Sequence, residues 1–459
     1  MLPTSAPRPS PRRPGCRAWS VGSQPMARVV VVGGGLGGAA SAARLAKLGH
    51  DVTLLERLDH VGGALDYVEA EGYRWDAGPV STALPAVLRD LFRKSGRPLE
   101  RELDLVPLDP AREHRFEDGS VLPLPSGSRA GQHEAIEKAL GAGSGDRWLE
   151  YTHGFADTWN LLRRDYLERV WSPDLAAPET RALLSSRTTL HKVVSKAFKD
   201  ERLRALAWHA AVAEGHEPRN VPAWIGMMSY VEQNFGVWTV PGGMGAFGAA
   251  LTKRLGERRV DVRLGTTARD IELRDGRAVG VLTDQGEVEA EVVVCAVDPR
   301  RLPSLEPMVR RTMPAIPPVV CHLGLHGDVP ELPHEVVLHG DPLIVLRTSG
   351  QAPPGRAAWT LLGRGRLAED IVTAMARRGI DVRDAVDVRI DRSPRDLVER
   401  WGGSPYGVLW QGRATFGRRA GTITPWENVF CAGAHAAPGA GVPFVGLGAA
   451  LVAQAIGKA

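Results

Sequence analysis

The chain has 459 residues, 43% apolar and 24% charged, a globular composition that excludes disordered, collagen-like and disulfide-stapled chains. At about 150 residues per domain the length predicts roughly two to three domain equivalents. The formal charge of +4 is confined to residues 1–25, where Arg8, Arg12, Arg13 and Arg17 meet no acid, so residues 26–459 sum to zero and offer no surplus cations to nucleic-acid phosphates.

In chain order, residues 1–25 hold six prolines and no apolar run of the roughly 7–15 residues a secretory signal needs. They are expected to be a disordered tail before a native start at Met26, with a transit peptide as the alternative. Val29 to Val32 then reads as a buried strand. It breaks into glycines and a small-residue helix, Ala39 to Leu48.

Gly33, Gly35 and Gly38 fill G-x-G-x-x-G. Gly33 allows the tight turn, Gly35 lets backbone approach a pyrophosphate, and Gly38 lets helix and strand pack closely. The phosphate charge would rest on the helix N-terminus. A second strand, Asp51 to Leu55, ends at Glu56, about 20 residues after the turn, where a carboxylate accepts ribose hydroxyls and disfavours a 2′-phosphate. An ordinary glycine-rich turn is the structural alternative. Gly62 follows Glu56 by six positions, too few for another strand, and the chain there reads Val61-Gly62-Gly63, with Asp76-Ala77-Gly78-Pro79 beyond.

Leu84, Val87, Leu88, Leu91 and Phe92 form an apolar stripe edged by Arg89, Arg93, Lys94 and Arg97. Such a stripe rests either on an anionic membrane surface or in the core. Trp148 to Val170, His191 to Phe198, Leu203 to Val212 and Ala223 to Val231 show helical spacing. Val260 to Val297 alternates short β-rich runs with turns and ends in a buried strand, Val292 to Ala296. Further on, strands are expected at Leu343 to Arg347 and Val408 to Gln411, and a helix at Ala368 to Arg377.

Gly363, Gly365 and Ala368 fit G-x-G-x-x-A. The run before them, Ala357 to Leu362, is a poor buried strand and arginines occupy the turn, so a second nucleotide site is disfavoured. Val429 to Ile456 is the longest low-charge stretch, but His435, Pro438, Pro443 and several glycines interrupt it well short of the roughly 20 apolar residues of a spanning helix. That argues against an integral membrane protein.

Cys16, Cys295, Cys321 and Cys431 lie far apart without a C-x-x-C pair, which argues against a zinc site or a redox dithiol and fits a reduced, cytoplasmic setting. No H-E-x-x-H, no carboxylate cluster and no G-x-S-x-G is present, so neither a metal nor a catalytic triad is expected.

The paired glycine soon after the ribose carboxylate, followed by Asp76-x-Gly78-Pro79, resembles the bacterial phytoene desaturase family of carotenoid oxidoreductases, a branch of the flavin amine oxidase fold. Two more stretches carry the likeness across nearly all of residues 26–459. Gly236 to Thr252 holds Trp238 and Gly242-Gly243 ahead of a helix, Met244 to Leu255. Asn428 to Leu451 is similar to the family's closing flavin motif of strand, glycine turn and last helix. Gly439, Gly441, Gly446 and Gly448 would let backbone lie against a flat ring system, or serve a packed turn. Two departures stand out: Ala64 where members often have Arg, and Ala437 where they often have His, with His435 two residues earlier.

The resemblance implies an α/β fold in which a Rossmann-like FAD-binding domain (26–80, 235–310 and 420–459) is interleaved with a discontinuous substrate domain, largely helical in 81–234 and carrying a mixed sheet in 311–419. It implies noncovalent FAD held by Gly33, Gly35, Gly38, Glu56, Gly63, Asp76, Gly78, Gly243, Gly433, Gly439, Val442 and Val445, with His435 the single candidate for proton transfer. The expected activity is desaturation of a lipophilic isoprenoid or polyene by hydride transfer to flavin, with peripheral membrane association suited to such a substrate. A flavin amine or porphyrinogen oxidase, a saturase, and a non-enzymatic carrier of prenylated proteins are the alternatives. Oligomeric state stays open.

Overall fold

A computed structural model describes residues 26–459; the expected tail lies outside the described residues. A five-stranded parallel sheet runs in the order Val429–Cys431, Val292–Cys295, Arg28–Val32, Asp51–Leu55, Asp261–Arg263. Its central strands read as near-continuous valine because both faces are covered. Val29, Val31, Leu54, Val294 and Phe430 pack on one face against helices Leu36–Lys47, Met244–Glu257 and Val442–Ile456. Val30, Val32, Leu55, Val293, Cys295 and Cys431 pack on the other, beneath a three-stranded antiparallel sheet formed by Ala268–Arg274, Arg277–Thr283 and Gly286–Glu289. Strands separated by more than 200 residues are thereby joined into one Rossmann-like sheet.

A seven-stranded mixed sheet runs in the order Val386–Arg392, Val319–His326, Arg356–Arg364, Leu343–Arg347, Glu335–Leu338, Arg112–Arg115, Val121–Leu124. All of its pairings are antiparallel except Glu335–Leu338 with Arg112–Arg115. Helices between Arg129 and Phe235 flank it, with Trp148, Phe155, Trp159, Phe198 and Leu206 in their core.

Several expectations need correction. The largely helical stretch 81–234 also contributes a hairpin that was not expected, Arg112–Arg115 with Val121–Leu124, to the large sheet; the parallel pairing that joins it there, to Glu335–Leu338 more than 200 residues away, leaves no local signal. Val408 to Gln411 is no strand, since Val408 makes only an isolated bridge to Pro314. Ala357 to Leu362, read as a poor strand, belongs to a central one, Arg356–Arg364, with Ala358, Trp359 and Leu361 buried. The turn after it still offers no phosphate site. The strand is antiparallel to both neighbours, and the Asp341 carboxylate fills the space above Gly365 and accepts the Arg366 N–H at 2.7 Å. The following helix starts later than expected, at Ile371, where the Asp370 side chain accepts from Val372 and Thr373.

The basic-edged stripe is spent on packing. Leu88, Leu91 and Phe92 enter the core against the parallel sheet, Leu84 and Val87 enter the helical core, and none is left for a bilayer. Among the described residues, no helix is long and apolar enough to cross a membrane.

Candidate active site

The first strand delivers the chain to Gly33, whose φ of +99° makes the tight turn and whose N–H donates to the Leu55 carbonyl at 2.8 Å. Gly38 is needed for contact: a Cβ there would stand 1.8 Å from the Gly33 carbonyl oxygen. Gly35 starts the helix with no side-chain cap and open space above it, its nearest heavy atom being the Gly63 Cα at 4.0 Å from a built Cβ. The helix therefore presents N–H groups and the positive end of its dipole. Glu56, expected as a ribose acceptor, uses its carboxylate in this structure to accept the Gly34 N–H at 2.7 Å and the Leu58 N–H at 2.8 Å. It splints the glycine turn to the end of the second strand.

Asp76 has a similar double use. Its Oδ1 accepts the Gly245 N–H at 2.8 Å, capping helix Met244–Glu257, and Gly243 leaves room for that carboxylate, since a Cβ there would lie 2.8 Å from both oxygens. Burial raises the Asp76 pKa against the lowering effect of the Gly245 and Met244 N–H groups. Beside it, the Gly78 carbonyl accepts from Arg347 Nη1 at 2.9 Å, and the Ala64 methyl packs on Gly78.

The closing turn follows Val429–Cys431. Gly433 is in the left-handed region, at +86°, and lies against Gly37 of the first helix. Arg419 donates to the Pro438 carbonyl at 2.8 Å and stacks over Trp410, filling the space beside Gly439. His435 is buried, and among the described residues neither ring nitrogen has a hydrogen-bond partner. Its Nδ1 lies 3.7 Å from Asp298. Burial lowers its pKa, with Asp298 and the Ser404 backbone opposing.

A cavity of about 910 Å³ joins these pieces. Every residue expected at the cofactor lines it except Gly38 and Gly243, which serve packing behind it. The same cavity continues between the seven-stranded sheet and the helices, where the wall is charged. Arg112 lies 2.6 Å from Glu232 and 3.1 Å from Glu335, and Arg347 lies 3.3 Å from Glu335. Burial works against the charges of Arg112 and Glu335, but Glu232 and Glu335 raise Arg112, and Arg112 and Arg347 bring the Glu335 carboxyl down to about 2. Burial, aided by Arg112, pulls His209 down to about 3. Glu214, Arg364 and His216 share the same space. None of these side chains was foreseen, because they come from six separate segments that only the fold brings together.

Two clusters lie elsewhere. His133, Glu137 and Asp146 gather near the surface, where Glu137 is already used to accept the Gly143 and Gly145 N–H groups. Cys295 and Cys431 pair in register on adjacent strands, an approach that sequence spacing concealed; both are buried, and the Cys295 thiol together with burial pushes Cys431 well above the usual thiol range.

The cradle fits a flavin dinucleotide: an uncapped helix N-terminus, a carboxylate at the end of the second strand, glycines a Cβ would block, and an unpartnered buried histidine in one cavity. Residues 36–456 match the flavin containing amine oxidoreductase family. The chain belongs to that family. It is therefore a flavin-dependent oxidoreductase that uses FAD.

The chain is 26% identical to a 4,4'-diapolycopene oxygenase of Methylomonas, with 94% of this chain and 98% of that protein covered. It is 33% identical to a neurosporene-forming phytoene desaturase of Cereibacter sphaeroides over 59% of this chain and 53% of that protein. The resemblance to carotenoid oxidoreductases read from the motifs agrees with these matches. Among solved structures, cyclohexylamine oxidase from Brevibacterium oxydans superposes with a TM-score of 0.64 at 17% identity, covering 94% of this chain and 98% of that one. At that identity it speaks for the fold alone.

Proposed function

We propose that the protein desaturates a lipophilic polyene, with Gly33, Gly35 and Glu56 holding the adenosine diphosphate half of FAD and the turn from Gly433 to Val445 lying against its ring. The carrying observation is continuity: one cavity runs from the glycine cradle past the closing turn into the space between sheet and helices. The carotenoid names of both relatives support the substrate class. Bound flavin supplies the chemistry by accepting a hydride from carbon. This chain's part is to orient the substrate and keep water out, with Trp224, Met227, Leu343 and Val345 as the apolar share of the wall.

Access from a bilayer is part of the same proposal. Met313 and Ile316 are 51% and 64% exposed, Arg310 and Arg311 beside them are exposed, and the Ile316 carbonyl accepts from the cavity-lining Arg364 at 2.7 Å. An apolar pair flanked by two arginines suits an anionic lipid surface. This patch takes the place of the stripe at Leu84 to Phe92.

The test is anaerobic mixing of the purified flavoprotein with an acyclic carotene or with an aliphatic amine, following the flavin absorbance. Bleaching by the carotene and not by the amine supports desaturation. Bleaching by the amine alone overturns it in favour of an amine oxidase. A protein that neither contains nor takes up FAD would overturn the enzyme reading in favour of a carrier.

A further inference from the structure

His216 follows helix Glu201–Ala213 by three residues, and Glu214 is the first residue past that helix. Both are fixed from outside the helix. Arg364 donates through Nε to the Ala213 carbonyl at 2.6 Å and through Nη1 to the Ile316 carbonyl, locking the backbone that carries Glu214. The Trp410 N–H donates to His216 Nδ1 at 3.5 Å. Burial brings the His216 ring down to about 4, so it is neutral. A neutral imidazole that accepts at Nδ1 carries its proton at Nε2.

That Nε2–H faces Glu214 without reaching it, because the Nε2 to Oε2 distance is 3.7 Å, beyond hydrogen-bond range. Among the described residues no group donates to the Glu214 carboxyl. Its side chain is enclosed by protein yet keeps 45% of its surface accessible, and that surface is cavity wall. Burial, aided by the Glu232 charge, outweighs the lowering effect of Arg364 and Arg419 and leaves the carboxyl at about 7. The cavity thus holds an acceptor and a donor a few ångströms apart, neither with a hydrogen-bond partner among the described residues, in the same space as Trp224, Met227, Leu343 and Val345.

We infer that Glu214 and His216 form a subsite for a hydroxyl group of the substrate, which donates to Glu214 and accepts from His216 Nε2–H. A single oxygen at about 2.8 Å from each closes the gap. The substrate class is then an isoprenoid alcohol rather than a plain hydrocarbon, an inference that rests on the polyene reading above. Arg364 is a positioning residue, since it holds the backbone on which Glu214 stands.

The experiment compares an acyclic hydrocarbon carotene with the same carotene bearing one terminal hydroxyl, using the FAD-loaded protein in detergent micelles. Binding is read from the shift of the carotene's own absorption, and turnover separately. Wild type is expected to favour the alcohol by about 100-fold or more in kcat/KM, as sites built around a substrate hydroxyl do. Glu214→Leu and His216→Phe should each remove most of that preference, and Glu214→Gln, which keeps size and hydrogen bonding, should keep part of it. Circular dichroism and flavin content establish that each variant is folded. Equal binding of the two carotenes by wild type, or a preference that survives Glu214→Leu, overturns the subsite and leaves water as the bridging group. If neither carotene binds, the polyene reading falls and the subsite with it.

Discussion

A Cβ built on Gly37 would stand 2.6 Å from the Cα of Gly433, so the first helix and the closing turn touch backbone to backbone. These segments lie almost 400 residues apart in the chain, and their contact fixes how the glycine cradle meets the closing turn. Gly37→Ala asks backbone, not a flexible side chain, to move. The expected cost is about 1–3 kcal/mol, with lower flavin occupancy. Chemical denaturation of the holoprotein, together with its flavin-to-protein absorbance ratio, checks both. Unchanged values would show that the two segments separate freely.

Glu56→Ala removes an acceptor from the cavity and also frees the Gly34 and Leu58 N–H groups. Flavin retention through gel filtration should fall several-fold. Glu56→Gln, which keeps one carbonyl oxygen, should lose less. Full flavin content in the Ala variant would remove Glu56 from the cofactor site.

What sequence alone made legible was whatever is local or repeated along the chain. The valine runs at Val29 to Val32 and Val292 to Cys295, the glycine turn and the strand ending at Glu56 all carry their signals within a few residues, and the structure has them where expected. Asp76 was legible as important but not as a helix cap, because its partner Gly245 lies 169 residues on. Arg112 and Glu335 were invisible for the same reason: their meaning arises from a parallel pairing between distant strands. The bilayer reading of Leu84 to Phe92 failed because amphipathicity states only that one face is covered. Here two cores cover it.

Arg112 holds two carboxylates in the cavity wall, and Arg347 supports only Glu335. Arg112→Met would leave Glu232 without its cation, a loss of about 3–5 kcal/mol for a buried pair broken on one side. Adding Glu232→Gln should restore part of that stability, since the stranded charge is then gone. Urea midpoints for the two single variants and the double variant give the coupling, and simple additivity would show that the pair does not interact.

The pH dependence of stability has a definite sign at Glu335. Its carboxyl sits at about 2 in the folded protein against about 4.3 when unfolded. The ionised form is therefore favoured by folding: the stabilisation is fully present above the unfolded value and is lost as pH falls through the folded one. Thermal unfolding between pH 6 and about pH 2 should show a steeper acid loss for wild type than for Glu335→Gln, which has no proton to gain. Parallel curves would mean that Arg112 and Arg347 do not hold the charge.

The exposed patch beside the cavity makes a prediction about lipids. Met313→Ser with Ile316→Ser removes the apolar pair, and Arg310→Gln with Arg311→Gln removes the flanking charge, while none of the four side chains lines the cavity. Each double variant should lower co-sedimentation with vesicles containing anionic phospholipid. The arginine variant should lose only the part that salt also removes, because attraction to the surface potential is screened within a Debye length of about 8 Å at physiological ionic strength. The serine variant should lose binding that salt does not touch, since the insertion of apolar side chains is not electrostatic. Flavin content and turnover of a detergent-solubilised carotene should stay at wild-type levels in both. Vesicle binding that persists in both variants would move the lipid contact elsewhere on the molecule.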